Sequence, residues 1–398
     1  GGREAAVAIE LALGIVVPRA WLCDALSRSL ESISEHELSF AWTQRWLALV
    51  PSDRRAMAEL LRRCLAGTDA ARIGNALSWV LAQPDPPEER AQVFVDALTL
   101  LYGLDAKAAG QVARRALDVF GPSHALARER LMSLADEHHD AGLAIAVLER
   151  FVASSADAPV DVLIELAQRR QDVSDFDGAA SELARAADRA EPSLLLQVVA
   201  EIEKASDGAL QSDGLIALTE ARSRALLRKL RLTPSQAPKS NAEAVENEAR
   251  ARSNLLREIV ESFRMLGALR WDLAEDSRGA EQALFEAAEL DVVAGFEIYA
   301  HDLAELAGPE PAVRAIFERA SLSEEEPVEK RLALALAAAH LSAEHGLAKL
   351  ALEAARKALA IEPGHAEAIS IAESQASHVP DGDAQIDAIY TALAATAM

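Results

Sequence analysis

The chain has 398 residues, 51% of them hydrophobic, and 63 acidic against 40 basic side chains give a formal charge of −23 at pH 7. That much apolar content excludes wholesale disorder, and so acidic a surface repels phosphate backbones and anionic lipid heads, which argues against nucleic acid or membrane as a partner. Aromatics make up only 4%, Ala and Leu carry the apolar share, and no long run of Val, Ile, Thr and Tyr alternates with polar residues; the expected class is all-α.

The chain opens on Gly1-Gly2 rather than Met, which reads as an excised or processed piece. Apolar stretches over residues 5–17, 21–30, 38–49, 57–65 and 73–81 read as helices, with Pro18 and Pro51 at helix entries. Four of the five tryptophans (Trp21, Trp42, Trp46 and Trp79) lie here, so residues 1–87 form a bulkier N-terminal helical region: a cap, a set of divergent repeats or a docking module. Cys23 and Cys64 are far apart, fit no metal spacing and read as core residues. Pro84-Asp85-Pro86-Pro87 makes a firm break.

Beyond that break a frame of small or aromatic residues recurs at i, i+4 and i+7. It stands at Ala109, Ala113, Ala116; Ala144, Leu148, Phe151; Ala180, Ala184, Ala187; Ala280, Leu284, Ala287; Val313, Phe317, Ala320; and Ala351, Ala355, Ala358. The third positions, at 116, 151, 187, 287, 320 and 358, are separated by 35, 36, 100, 33 and 38 residues, and the long gap holds a degenerate copy at Ala217, Ala221, Ala225. Residues so spaced share one helix face, where small groups let a second helix nest against the first helix of its own repeat. Gly-Pro or Pro follows several copies, as at Pro122, Pro192 and Pro363, and stops the helix. The first helices carry matching apolar faces, such as Val162, Leu163, Leu166 and Ala167, or Phe263, Leu266, Gly267 and Trp271. Glycines at 67, 103, 121, 308 and 364 are expected as helix caps.

The polar, proline-containing stretch Thr233 to Ser240 is the one clear internal linker, and the charged run after it leads into a long helix through Asp272. The expected division is therefore 1–87, repeats over 88–232, a linker over 233–247, and repeats with a C-terminal cap over 248–398. The longest apolar runs, 11–17 and 332–341, are too short to span a bilayer, and no signal peptide is visible; the cytoplasm is the expected compartment.

A period near 34 carried by these frames resembles the tetratricopeptide repeat family over roughly residues 90 to 380. The resemblance is specific in the second helices and poor in the first, where Ala335, Ala339 and Ser342 stand in place of the family's Trp, Gly and Tyr; other helical-hairpin solenoids remain open. It implies an α-solenoid of antiparallel helix hairpins wound as a right-handed superhelix, with a binding groove on the first helices. That frame places Arg130 and Ser133, Glu165 and Arg169, Met265 and Leu269, and Leu336 and His340 on the inner face, a mixed set that disfavours capture of a peptide carboxylate. Phe94, Leu98 and Tyr102 offer an apolar surface suited to an amphipathic helix, so the candidate partner groove is Phe94, Leu98, Tyr102, Arg130, Arg169 and His340.

No catalytic arrangement stands out. Neither a P-loop nor a dinucleotide fingerprint can be written through the glycines. Glu137-His138-His139-Asp140 is the densest set of metal-ligand types, but adjacent helical residues point about 100° apart, and the stretch falls where a first helix ends; it reads as a solvated turn. No metal or cofactor is expected. The functional expectation is a protein-interaction scaffold or adaptor that binds a peptide or an amphipathic, possibly basic, helix without catalysis; the alternative is a structural subunit of a permanent assembly.

Overall fold

The computed structural model describes residues 20–51, 53–66, 69–82, 91–120, 125–155, 157–233, 242–290, 294–321 and 326–396. Every regular element among them is a helix. In chain order these are α1 (Ala20–Ser32), α2 (His36–Leu49), α3 (Arg54–Ala66), α4 (Ala70–Leu81), α5 (Ala91–Leu104), α6 (Ala106–Phe120), α7 (Ala125–Glu137), α8 (Ala141–Ser154), α9 (Val160–Asp172) and α10 (Phe176–Ala186). The series continues with α11 (Pro192–Ser206), α12 (Ser212–Leu232), α13 (Ala242–Ala274), α14 (Ser277–Ala288), α15 (Ala294–Ala307), α16 (Pro309–Ser321), α17 (Val328–Glu344), α18 (Ala348–Ile361), α19 (Ala366–Ala376) and α20 (Gly382–Thr396).

The turns inside the hairpins share a local cause. Ser34, His139, Ser174 and Glu275 each adopt a left-handed backbone conformation just past a first helix. At three of these turns an aspartate follows and caps the second helix: Asp140 accepts from the Leu143 amide, Asp175 from Gly178 and Asp276 from Gly279. Gly346 supplies the same φ before α18, and Gly308 and Gly364 adopt positive φ between other helices. Gly103, expected as a cap, instead lies within the last turn of α5, where Asp105 caps α6 through the Ala108 amide. Gly67 and Gly121 lie outside the described residues, as do the stretch 5–17 with Pro18, Pro84 to Pro87, and residues 234–241 of the expected linker. Helix α13 begins at Ala242, so it takes up the end of the span 233–247.

Two units can be distinguished, Gly1–Val173 and Ser174–Met398, the division falling at the turn between α9 and α10, inside the span 88–232. In the first unit each helix packs on its successor, and equivalent helices of adjacent hairpins also touch: α3 on α5 and α5 on α7, α4 on α6 and α6 on α8. The second unit repeats the arrangement, with α10 on α12, and α15, α17 and α19 side by side. Each unit is thus an array of antiparallel helix hairpins, an α-solenoid arrangement.

The frame positions are where the helices meet. Ala109, Ala113, Ala116, Ala180, Ala187, Ala280, Ala351, Ala355 and Ala358 are buried, as are the first-helix partners Leu163, Leu166, Ala167, Phe263 and Leu266. Polar bonds repeat the period. Arg72 reaches Glu37 35 residues away, Arg224 reaches Asp188 at 36, Arg264 reaches Asp302 at 38 and Arg319 reaches Glu281 at 38. A side chain therefore meets its counterpart helix one repeat along, a register that the sequence period alone does not fix.

Candidate functional site

In the second unit the first helices α13 and α15 flank a groove of about 660 Å³, floored by the C-terminal end of α14. Its size falls within the range of roughly 300–1,000 Å³ usual for binding clefts. Leu256 and Val260 on α13, Leu284 and Leu290 from α14 and its end, and Ile298 on α15 line it. Ile298 is 41% exposed, and Met265, on the same stretch of α13 as the groove wall, is 61% exposed.

Close helix approach shapes the floor. A Cβ placed on Gly295 would stand 2.5 Å from the Ala288 carbonyl oxygen, so only glycine lets α15 lie so near the end of α14. Below it the Tyr299 ring is buried and sits edge-on to Phe285, with ring centroids 5.8 Å apart. The Tyr299 hydroxyl donates to Glu281 at 3.3 Å; burial first, and then the Glu281 charge, push that phenol well above its ordinary range. Across the groove the Arg264 guanidinium donates twice to Asp302, at 2.5 and 2.7 Å. That bidentate bond is the main reason the Arg264 pKa is raised, and it links α13 to α15 as a fixed strap. Glu261 and Glu305 add their charges around the same arginine.

The lateral pairing continues along the first helices. His301 on α15 faces Glu344 on α17 at 3.4 Å, and His340 on α17 faces Glu367 on α19 at 2.9 Å. A second cleft of about 810 Å³ lies between α12 and α14, where Arg224, Arg228 and Arg231 alternate with Asp188, Glu286 and Glu289; its charges balance.

The residues expected to form a partner groove are not brought together. Phe94, Leu98 and Tyr102 are 1%, 0% and 4% exposed, so they are core of the first unit and present no surface to a partner; this corrects the apolar half of the expected site. Phe94 packs against Phe120 in an edge-on pair 5.5 Å between centroids. Arg130 is exposed on α7, Arg169 binds Asp136 at 2.7 Å, and His340 belongs to the second unit with Glu367 as its partner. Glu137 ends α7 and His138 to Asp140 form the turn expected there, yet the stretch is not merely solvated: the His138 ring stacks on Tyr102 at 4.6 Å, and the Tyr102 hydroxyl donates to Asp140 at 3.0 Å. Among the described residues no group of three His, Cys, Asp or Glu is placed to hold a metal ion, and no helix is long and apolar enough to cross a membrane.

No protein-family model matches the chain, and no curated protein matches it. Among solved structures, the crystal structure of yeast Tom70 is similar at 14% identity, covering 100% of this chain and 92% of that one, with a TM-score of 0.21. A circular tandem repeat protein with novel repeat topology is similar at 14% identity over 97% of this chain and 79% of that one, with a TM-score of 0.18. Likeness at those scores carries no weight of its own; the helix pairs, their turns and their register define the fold.

Proposed function

We propose that this chain is a protein-interaction scaffold that holds a segment of another protein in the groove between α13 and α15. The observation that supports it most is an open, apolar-floored groove whose walls are strapped together by Arg264 and Asp302. Such a surface is preformed, so a partner orders only itself on binding. The chain needs no chemistry of its own for this role, and we assign it none.

The test uses the full chain as bait, alongside Ile298→Asn and Val260→Asn, each of which puts a neutral polar group on the groove lining. A partner captured by the parent and lost by both variants supports the reading. A partner retained equally by all three contradicts it, as does turnover of a small molecule by a chain that captures nothing.

A second reading, a structural subunit of a permanent assembly, has one observation in its favour: Trp21 on α1 is 65% exposed. Trp42 and Trp46 are buried and give no such surface. A chain that remains monomeric and soluble alone, with Trp21 fluorescence unaffected by concentration, counts against that reading.

A further inference from the structure

Building on the scaffold reading, we propose that the segment held between α13 and α15 is an amphipathic helix whose polar flanks are basic. The apolar side follows from the lining: Leu256 and Val260 lie one turn apart on α13, opposite Ile298 on α15, a spacing that receives side chains projecting at i, i+3, i+4 and i+7 from a docked helix. The basic flank follows from charge. Arg264 is neutralised by Asp302, which leaves Arg257 as the other cation among the described lining residues. Against it stand Glu261 on the groove wall and Glu305 one turn beyond Asp302, both exposed. Lysines or arginines on the occupant would meet these carboxylates at the rim, where they set orientation and speed encounter, and the chain's charge of −23 adds long-range attraction of the same sign. An acidic segment meets repulsion at Glu261 and Glu305, with Arg257 alone on the attractive side.

The experiment is fluorescence anisotropy with the full chain and three labelled synthetic peptides of equal length. One carries leucines at helical spacing with lysines on its polar face, the second replaces the lysines by glutamates, and the third keeps the lysines but scrambles the leucines. Ile298→Asn and the double variant Glu261→Lys/Glu305→Lys accompany the parent, with circular dichroism confirming that each folds. The proposal expects the lysine probe to bind the parent, with affinity falling as salt rises. It expects about a tenfold loss or more in either variant, and a turn of preference toward the glutamate probe in the double variant. Equal binding of the lysine and glutamate probes, both lost in Ile298→Asn, overturns the basic-flank assignment while leaving the scaffold reading in place. Binding of the scrambled probe as tightly as the ordered one, or binding unaffected by Ile298→Asn, or no binding by either leucine-faced probe, overturns the amphipathic-helix proposal itself.

Discussion

The Arg63 guanidinium meets the Glu31 carboxylate at 3.0 Å while its other terminal nitrogen donates to the Ser39 carbonyl at 2.7 Å, so one side chain of α3 ties down both helices of the preceding hairpin. Ser27, Ser39 and Thr43 complete the buried network, with Ser27 and Thr43 hydroxyls 2.9 Å apart and the Ser39 hydroxyl on the Ser27 carbonyl. Burial opposes ionisation of Glu31, but Arg62 and Arg63 outweigh it and hold the carboxyl below its usual range.

Removing Arg63 strands the acceptors it satisfies. Arg63→Ala is expected to destabilise the first unit by about 2–4 kcal/mol, read as a lowered denaturant midpoint with little change in slope. A loss under about 0.5 kcal/mol would show the network to be ornamental.

Because the folded pKa of Glu31 is depressed, its contribution is fully present above the unfolded carboxyl value of about 4.3 and disappears as pH falls through the folded value. Glu31→Gln should therefore cost stability at pH 7 and flatten part of the decline below about pH 4. Parallel acid limbs for parent and variant contradict this.

The Tyr102–Asp140 bond predicts coupling between adjacent hairpins. Tyr102→Phe should cost about 1 kcal/mol and Asp140→Ala about 1–3, since the latter also uncaps α8, and the double variant should lose less than the two together. Strict additivity in thermal or denaturant unfolding would show that the two side chains act independently.

Overpacking tests the small-residue seam. Ala355→Leu, at a fully buried frame position, is expected to cost about 1–3 kcal/mol, whereas Ala360→Leu on the exposed side of the same helix should be near neutral. Equal effects would mean that α18 does not use this seam.

Cys23 and Cys64 are buried, and burial pushes the Cys64 thiol up to about 12, against the weaker opposite pull of Arg72. Little thiolate exists at pH 8, so a thiol reagent should label neither cysteine in the native chain and both in denaturant. Rapid native labelling at Cys64 would contradict the packing of α3.

The helical class and the seam were legible because Ala113, Ala116, Ala355 and their counterparts serve packing alone, and packing leaves a period. Phe94, Leu98 and Tyr102 misled for the same reason: an apolar stripe announces that something covers it, and here α5 is covered by the chain's own α3, α4, α6 and α7. The aspartate caps are harder to read than a glycine or proline turn, because His139, Ser174 and Glu275 take the left-handed conformation without either. An aspartate four or five residues ahead of the frames that start at Ala144, Ala180 and Ala280, at 140, 175 and 276, is the available signal. Met265, expected on the inner face from the frame, is 61% exposed. The groove itself was out of reach, since Val260, Leu290 and Ile298 come from separate helices whose approach depends on Gly295 and on the Arg264–Asp302 strap.

Hydrogen–deuterium exchange of the full chain with and without the lysine-flanked probe tests the groove most directly. The account predicts added protection concentrated in residues 253–264 and 295–302, and none when Ile298 is asparagine. Protection spread over α5 and α7 instead, or confined to the cleft between α12 and α14, would contradict it.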